Sequence, residues 1–159
     1  MATNIKHHQD NQKLKLNAKE MRFALIVSEW NSHITDNLFI GAKETLLSNN
    51  VNPQHIVRYN VPGSFELVYG AKLASMKDNY NAIICLGSVI KGETKHFDYI
   101  CNAVSNGIMN LNIKLNIPII FGVLTDENEQ QALDRSGGKH GNKGSEAAIT
   151  AIKMAILNS

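Results

Sequence analysis

From Met21 onward, apolar runs of strand length alternate with stretches whose apolar residues recur every three or four positions, and few folds accommodate that alternation. "RFALIVS" (22–28) is apolar almost throughout, the pattern of a strand buried on both faces. Ile34, Leu38, Ala42 and Leu46 then share one helix face, which fades at Ser48-Asn49-Asn50. "HIVRYNV" (55–61) predicts a second strand, stopped by Pro62-Gly63, and Leu67, Val68, Ala71 and Ala74 predict a second helix. "AIICLG" (82–87) reads as the third strand, and Phe97, Ile100, Val104, Ile108 and Leu111 as the third helix. "IPIIFGVLT" (117–125) is a fourth strand with Pro118 near its start, where a missing N–H matters least. A short helix over 128–134 precedes the loop "RSGGKHGNKG" (135–144), and a last helix has Ser145 as N-cap and Ile149, Ile152 and Ile156 inward. This order predicts an α/β fold: a three-layer α/β/α sandwich around a four-stranded parallel sheet, doubly wound with right-handed crossovers.

Residues 21–159 make one domain, and 1–20 read as an arm, partly disordered. Within the arm Lys13–Ala18 alternates polar and apolar like a strand. A lone strand has no stability of its own, so it is expected to pair with a neighbouring subunit's sheet. The arm carries four lysines against Asp10 and Glu20, which accounts for the whole net charge of +2; the rest of the chain is neutral. That balance, with only 6% aromatic residues, argues against a nucleic-acid or anionic-membrane partner. Cys85 and Cys101 lack the spacing of a redox or zinc pair, the histidines form no ligand set, and no metal is expected. No signal-peptide core and no long apolar span is present, so the expected location is cytoplasmic.

Ligands of such sheets bind outside the carboxyl ends of the strands. That selects Glu29–Asn31, Pro62–Glu66, Gly87–His96 and Phe121–Asp126, where most of the unusual residues lie. Gly87-x-x-x-x-Gly92 followed by Glu93-Thr94 is one residue from a P-loop, with glutamate where the nucleotide-binding lysine belongs. A polyphosphate would be repelled there, yet a helix opening after the loop still offers free N–H groups to a single phosphate monoester. A plain strand–helix connection explains the same glycines. His96, in the first helical turn, is suited to proton transfer or is only a surface residue. Trp30 at a strand end can stack on a planar heterocycle or pack into the core. Ser64 and Glu66 are placed just inside the second helix, the carboxylate suited to paired hydroxyls or to an ordinary helix start. Arg135, Lys139, His140 and Lys143 make the 135–144 loop either a cation source or a hinge.

Taken together, "SEWN", "NVPGSFEL", "GSVIKGETKHFDYI", "FGVLTDEN" and "QALDRSGGKHGNKG" resemble the lumazine synthase family, in family order and spacing from about Phe23 to the C-terminus. The resemblance implies a flavodoxin-like fold and a cofactor-independent condensation. In it 5-amino-6-(D-ribitylamino)uracil and 3,4-dihydroxy-2-butanone 4-phosphate give 6,7-dimethyl-8-ribityllumazine, the penultimate step of riboflavin biosynthesis. It implies that Trp30, where many members have Phe, stacks on the pyrimidine, and that Ser64, where Ala is common, and Phe65 contact the uracil or ribityl portion. Glu66 would hold ribityl hydroxyls, the Ser88, Val89 and Ile90 backbone would read the uracil edge, and Glu93, Thr94 and Arg135 would take the phosphate. His96 would move the proton, Phe121 would complete the pocket from a neighbouring subunit, and Lys143 would line it. A pentamer, twelve of which form an icosahedral shell, follows from the same resemblance, with an enclosed riboflavin synthase as a protein partner. A non-catalytic flavin-binding or shell-forming protein of the same fold is the alternative.

Overall fold

The computed structural model describes residues 18–158. Four strands, β1 (Phe23–Ser28), β2 (Ile56–Val61), β3 (Ala82–Ile90) and β4 (Ile119–Asp126), form one parallel sheet in the order β2-β1-β3-β4. The helices α1 (Ser32–Ser48), α2 (Leu67–Ser75) and α3 (His96–Lys114) connect them in turn. From β1 the chain moves outward to β2, then returns past β1 to β3, so the strand order reverses between β1 and β3. A crevice at the carboxyl ends of those two strands is the expected ligand position.

Alternation along each strand assigns its residues to two cores. Phe23, Leu25, Val27, Ile84, Leu86 and Leu124 pack with α1, α4 (Glu129–Arg135) and α5 (Lys143–Leu157). Ala24, Ile26, Ile83, Cys85, Ile119 and Val123 pack with α2 and α3. Of the expected helix faces on α1, α2 and α3, Ile34, Leu38, Ala42 and Leu46 are fully buried, as are Leu67, Ala71, Ala74, Val104 and Ile108 to within a few per cent; Val68, Ile100 and Leu111 pack partly buried against the same core, and Phe97 is half-buried.

Four local expectations are corrected. The third strand does not stop at Gly87 but runs to Ile90, pairing Gly87–Ile90 with Val123–Asp126. Gly87 is a packing position there: a Cβ would stand 2.8 Å from Leu67 Cδ1 and from Ser64 Oγ. The P-loop comparison therefore reduces to the short segment 91–95. Ser64 and Glu66 lie in the turn before α2, with Glu66 at its N-cap position. The last helix is capped by Asn142, whose Oδ1 accepts from Gly144 N–H at 2.8 Å and Ser145 N–H at 3.4 Å, while the Ser145 hydroxyl donates to the Gly41 carbonyl. Its inward face is Ala147, Ala148, Ala151, Ile152 and Ala155, with Ile156 turned to solvent. Small residues allow α5 to lie close along α1, and a side chain at Gly144 would collide with the Leu38 carbonyl.

Of the strand expected over Lys13–Ala18, only Ala18 falls among the described residues; it is buried and its N–H donates to the Asn49 carbonyl at 3.1 Å. Among the described residues, no helix is long and apolar enough to cross a membrane.

Candidate active site

Three hydrogen bonds stitch the carboxyl ends of the strands together. Glu29 N–H donates to the Val61 carbonyl at 2.8 Å, Trp30 N–H to the Pro62 carbonyl at 3.1 Å, and Asn31 Nδ2 to the Ser88 carbonyl at 3.1 Å. Asn31 turns the chain from β1 into α1 in the left-handed region, φ 59°, which asparagine tolerates better than most residues. Thr35 Oγ1 fastens the start of α1 to the Ser28 carbonyl at 2.7 Å. The outcome for Trp30 is plain: it is 73% exposed, so it is not a core residue. Phe65 is 55% exposed on the neighbouring turn, and Gly63 leaves room for the Glu66 carboxylate, whose Oε2 would lie 2.9 Å from a Cβ there.

β3 has two different edges. Toward β1 its ladder ends at the pair Val27–Leu86, so the backbone from Gly87 to Ile90 is not covered by β1. Toward β4 it stays paired to its last residue. Of the main-chain groups along this edge, the Ser88 carbonyl is taken by the Asn31 side chain, and the β1 ladder covers none of them. Beneath it, Ser64 Oγ and Ser88 Oγ are buried and lack a hydrogen-bond partner among the described residues.

Loop 91–95 follows, exposed throughout, and α3 opens at His96. Thr94 Oγ1 accepts from His96 N–H at 3.4 Å, tying off one of the free donors of the helix start. His96 is exposed and no partner holds its ring among the hydrogen bonds of the described residues. Lys91 Nζ is engaged by Glu127 at 3.1 and 3.2 Å, and Lys91 N–H donates to the Asp126 carbonyl at 2.9 Å. Arg135, in the last turn of α4, comes to the same edge: its Nη1 donates to the Gln131 carbonyl at 3.0 Å and faces Asp126 Oδ1 at 3.6 Å.

The 135–144 segment is not a slack hinge. It forms a small antiparallel hairpin, β5 (Ser136–Gly138) and β6 (Gly141–Asn142), with glycines at its positive-φ positions 137 and 141. Asn142 Nδ2 pins it to the carbonyls of Asn37 at 2.8 Å and Ser136 at 3.2 Å. Lys139 and His140 are exposed at its tip, so of its four basic or titratable residues only Arg135 is seen at the strand ends.

One chain thus places Trp30, Ser64, Phe65, Glu66, Ser88, Val89, Ile90, Glu93, Thr94, His96 and Arg135 in the segments at or following the carboxyl ends of its strands. It does not bring Phe121 or Lys143 to them. Phe121 pairs with Cys85, which pairs with Ile26. Ser28, the end of β1, is two residues beyond Ile26, so it stands roughly 7 Å farther along the strands than Phe121 and roughly 10 Å across two strand spacings, and Trp30 follows it in the turn. No single ring fits between Trp30 and Phe121 of the same chain. Lys143 opens α5 against the middle of α1, with its amine on Glu146 at 2.8 and 2.9 Å. Two residues of this edge, Asn31 and Asp126, lie inside the segments the sequence selects but have no role assigned to them there. Asn31 carried a signal, an asparagine just before a helix; Asp126 carried none, because its partner is a helix away.

Fold and edge define a flavodoxin-like α/β protein with an exposed aromatic, a strand that outruns its neighbour and an exposed loop that opens a helix at its topological switch point. The family model of 6,7-dimethyl-8-ribityllumazine synthase matches residues 20–159, and the chain belongs to that family. It is 55% identical over 158 residues to the 6,7-dimethyl-8-ribityllumazine synthase of Flavobacterium johnsoniae, covering 99% of this chain and 83% of the relative. It is 59% identical to the protein of that name from Cytophaga hutchinsonii, covering 83% of each, and 49% identical to that from Porphyromonas gingivalis, covering 87% and 86%.

Proposed function

We propose that this chain condenses 5-amino-6-(D-ribitylamino)uracil with 3,4-dihydroxy-2-butanone 4-phosphate at the switch point of its sheet, in a site completed by a neighbouring copy. Family membership carries the activity of lumazine formation in riboflavin biosynthesis, and no observation favours a non-catalytic binding or shell protein. The observation that carries the residue assignment is the uncovered β3 edge from Gly87 to Ile90, set between Trp30 and the loop that opens α3.

The uracil lies against that edge, with Trp30 on one face and Phe121 of a neighbouring copy on the other. Ser64 and Phe65 meet its ribityl side, Glu66 accepts from ribityl hydroxyls, and Lys143 lines the pocket. The phosphate rests on Thr94, the Glu93 backbone and the start of α3, with Arg135 as its cation. The substrate amine adds to the ketone carbonyl and loses water to form an imine between the two substrates. Elimination then expels phosphate, and attack by the ribitylamino nitrogen with loss of a second water closes the ring. His96 transfers protons in the elimination and closure. Holding two reactants in one pocket lowers the entropic cost of the bimolecular step. Each step is an addition or elimination without net redox change, and the imine nitrogen comes from substrate.

The offset of Phe121 from Trp30 supports a ring of copies, a pentamer, and the pinned 135–144 hairpin suits assembly of pentamers into an icosahedral shell, in which riboflavin synthase is a candidate guest. The domain is 21–159 and the location is cytoplasmic. The test is lumazine formation followed by absorbance with both substrates, against a protein-free control. Turnover above the control is expected; none in assembled protein would overturn the reading.

A further inference from the structure

β4 is the last strand of the sheet, so its outer edge has no strand partner among the described residues. At the start of that edge one side chain stands in for the partner. Asn112, near the end of α3, accepts from Ile119 N–H at 2.9 Å through Oδ1 and donates to the Ile119 carbonyl at 2.8 Å through Nδ2. The same Nδ2 donates to the Ile108 carbonyl of its own helix at 3.0 Å, which fixes the amide plane. Both main-chain groups of Ile119 therefore point outward, and one amide meets them as a single residue of an antiparallel strand would. Pro118, just before, has no N–H, and its carbonyl points inward to Ile83 N–H at 2.9 Å. Ile119 is 3% exposed, so its polar groups depend on the amide and not on water. Asn112 itself lies at the surface, and core packing does not account for it.

The two-residue period of a strand carries this restraint forward. Phe121 turns its main chain to the same open edge as Ile119 and its side chain to the same face of the sheet as Ile119 and Val123. Those two are buried in the core under α2 and α3, whereas Phe121 is 44% exposed. The strand sets the direction of Phe121, and Asn112 ties that strand on its outer side two residues earlier.

We infer that Asn112 is a positioning residue that holds the outer edge of β4 in place of a missing strand, so that Phe121 is presented to the site of a neighbouring copy. The inference rests on the reading of Phe121 as an aromatic supplied across an interface between copies.

Asn112→Ala removes all three of these hydrogen bonds; Asn112→Ser, which keeps an acceptor, is the milder probe of the same position. The measurements on assembled protein are kcat, KM for each substrate, and Tm, with each variant also combined with Phe121→Ala. Both should raise KM for the uracil about 5-fold, with kcat and KM for the butanone phosphate within about twofold of wild type. Neither should add to the loss in a Phe121→Ala background. Each is then co-expressed with His96→Ala, beside Phe121→Ala in the same pairing, and lumazine formation is read well below KM for the uracil. Because Asn112 would serve the neighbour's site and His96 its own, random mixing leaves roughly a quarter of the sites intact. Activity well above the mean of the two variants is expected. A mixture at that mean, while Phe121→Ala does complement His96→Ala, overturns the positioning role. An unchanged KM for the uracil, an Asn112 effect that persists without Phe121, or loss of assembly in both Asn112 variants overturns it too. Failure of Phe121→Ala to complement His96→Ala instead removes the reading of Phe121, and the inference with it.

Discussion

The two halves of β3 are built for different work. Ala82–Leu86 is wholly buried and, from Ile83 on, paired on both sides, and burial pushes the Cys85 thiol up to about 12. Gly87–Ile90 continues the same strand with only its β4 side paired. The inner half has each side chain in one of the two cores. The outer half keeps the rigidity of the strand and gains a free edge, because β1 ends earlier and turns at Asn31. A preorganised reading edge needs no separate loop when one strand outruns its neighbour.

Substitutions separate the halves, beginning with the largest effect. Ile84→Ala in the inner half should cost about 2–5 kcal/mol, read as a lower denaturation midpoint, with kcat of the folded protein unchanged. His96→Ala, at the start of α3 beyond the outer half, should invert that pattern: kcat about 10²-fold lower and Tm unchanged. Gly87→Val sits on the boundary and should do both. Overpacking against Leu67 and Ser64 should cost about 1–3 kcal/mol, and KM for the uracil should rise as the floor of the edge shifts. Trp30→Ala should raise KM for the uracil about 10-fold through lost stacking, and its exposure predicts a stability change within about 0.5 kcal/mol. If Ile84→Ala and Trp30→Ala gave the same balance of stability and KM effects, the division of β3 would be wrong.

The inner half was far more legible than the outer. Continuous apolar runs and the four-residue spacing of Ile34, Leu38, Ala42 and Leu46 come directly from burial, so strands, helices and layers can be read from them. Gly87 reads as a strand stop because glycine weakens strands in general, and only the proximity of Leu67 and Ser64 shows why it is tolerated inside one. On α5 the expected Ile152 is buried and Ile156 is not; the alanines that make up the rest of the inward face carry little hydrophobic contrast in the sequence, and close approach to α1 selects them. Asn142 outcompeted Ser145 as cap because its side chain also ties the hairpin to α1. The candidate residues at the strand ends followed from the switch-point rule together with the family motifs. The Asp126–Arg135 contact did not, since no local pattern links a strand end to the last turn of a following helix.

The central claim is that the outer half of β3 works with an aromatic from another copy. Co-expression of His96→Ala with Phe121→Ala tests it most directly, with lumazine formation measured per assembled subunit against each variant alone. In a ring where each site takes His96 from one chain and Phe121 from the next, random mixing leaves roughly a quarter of the sites intact. Activity of the mixture well above that of either variant alone is the predicted result. A mixture no more active than the mean of the two variants would mean that both residues serve from one chain, and would contradict the account.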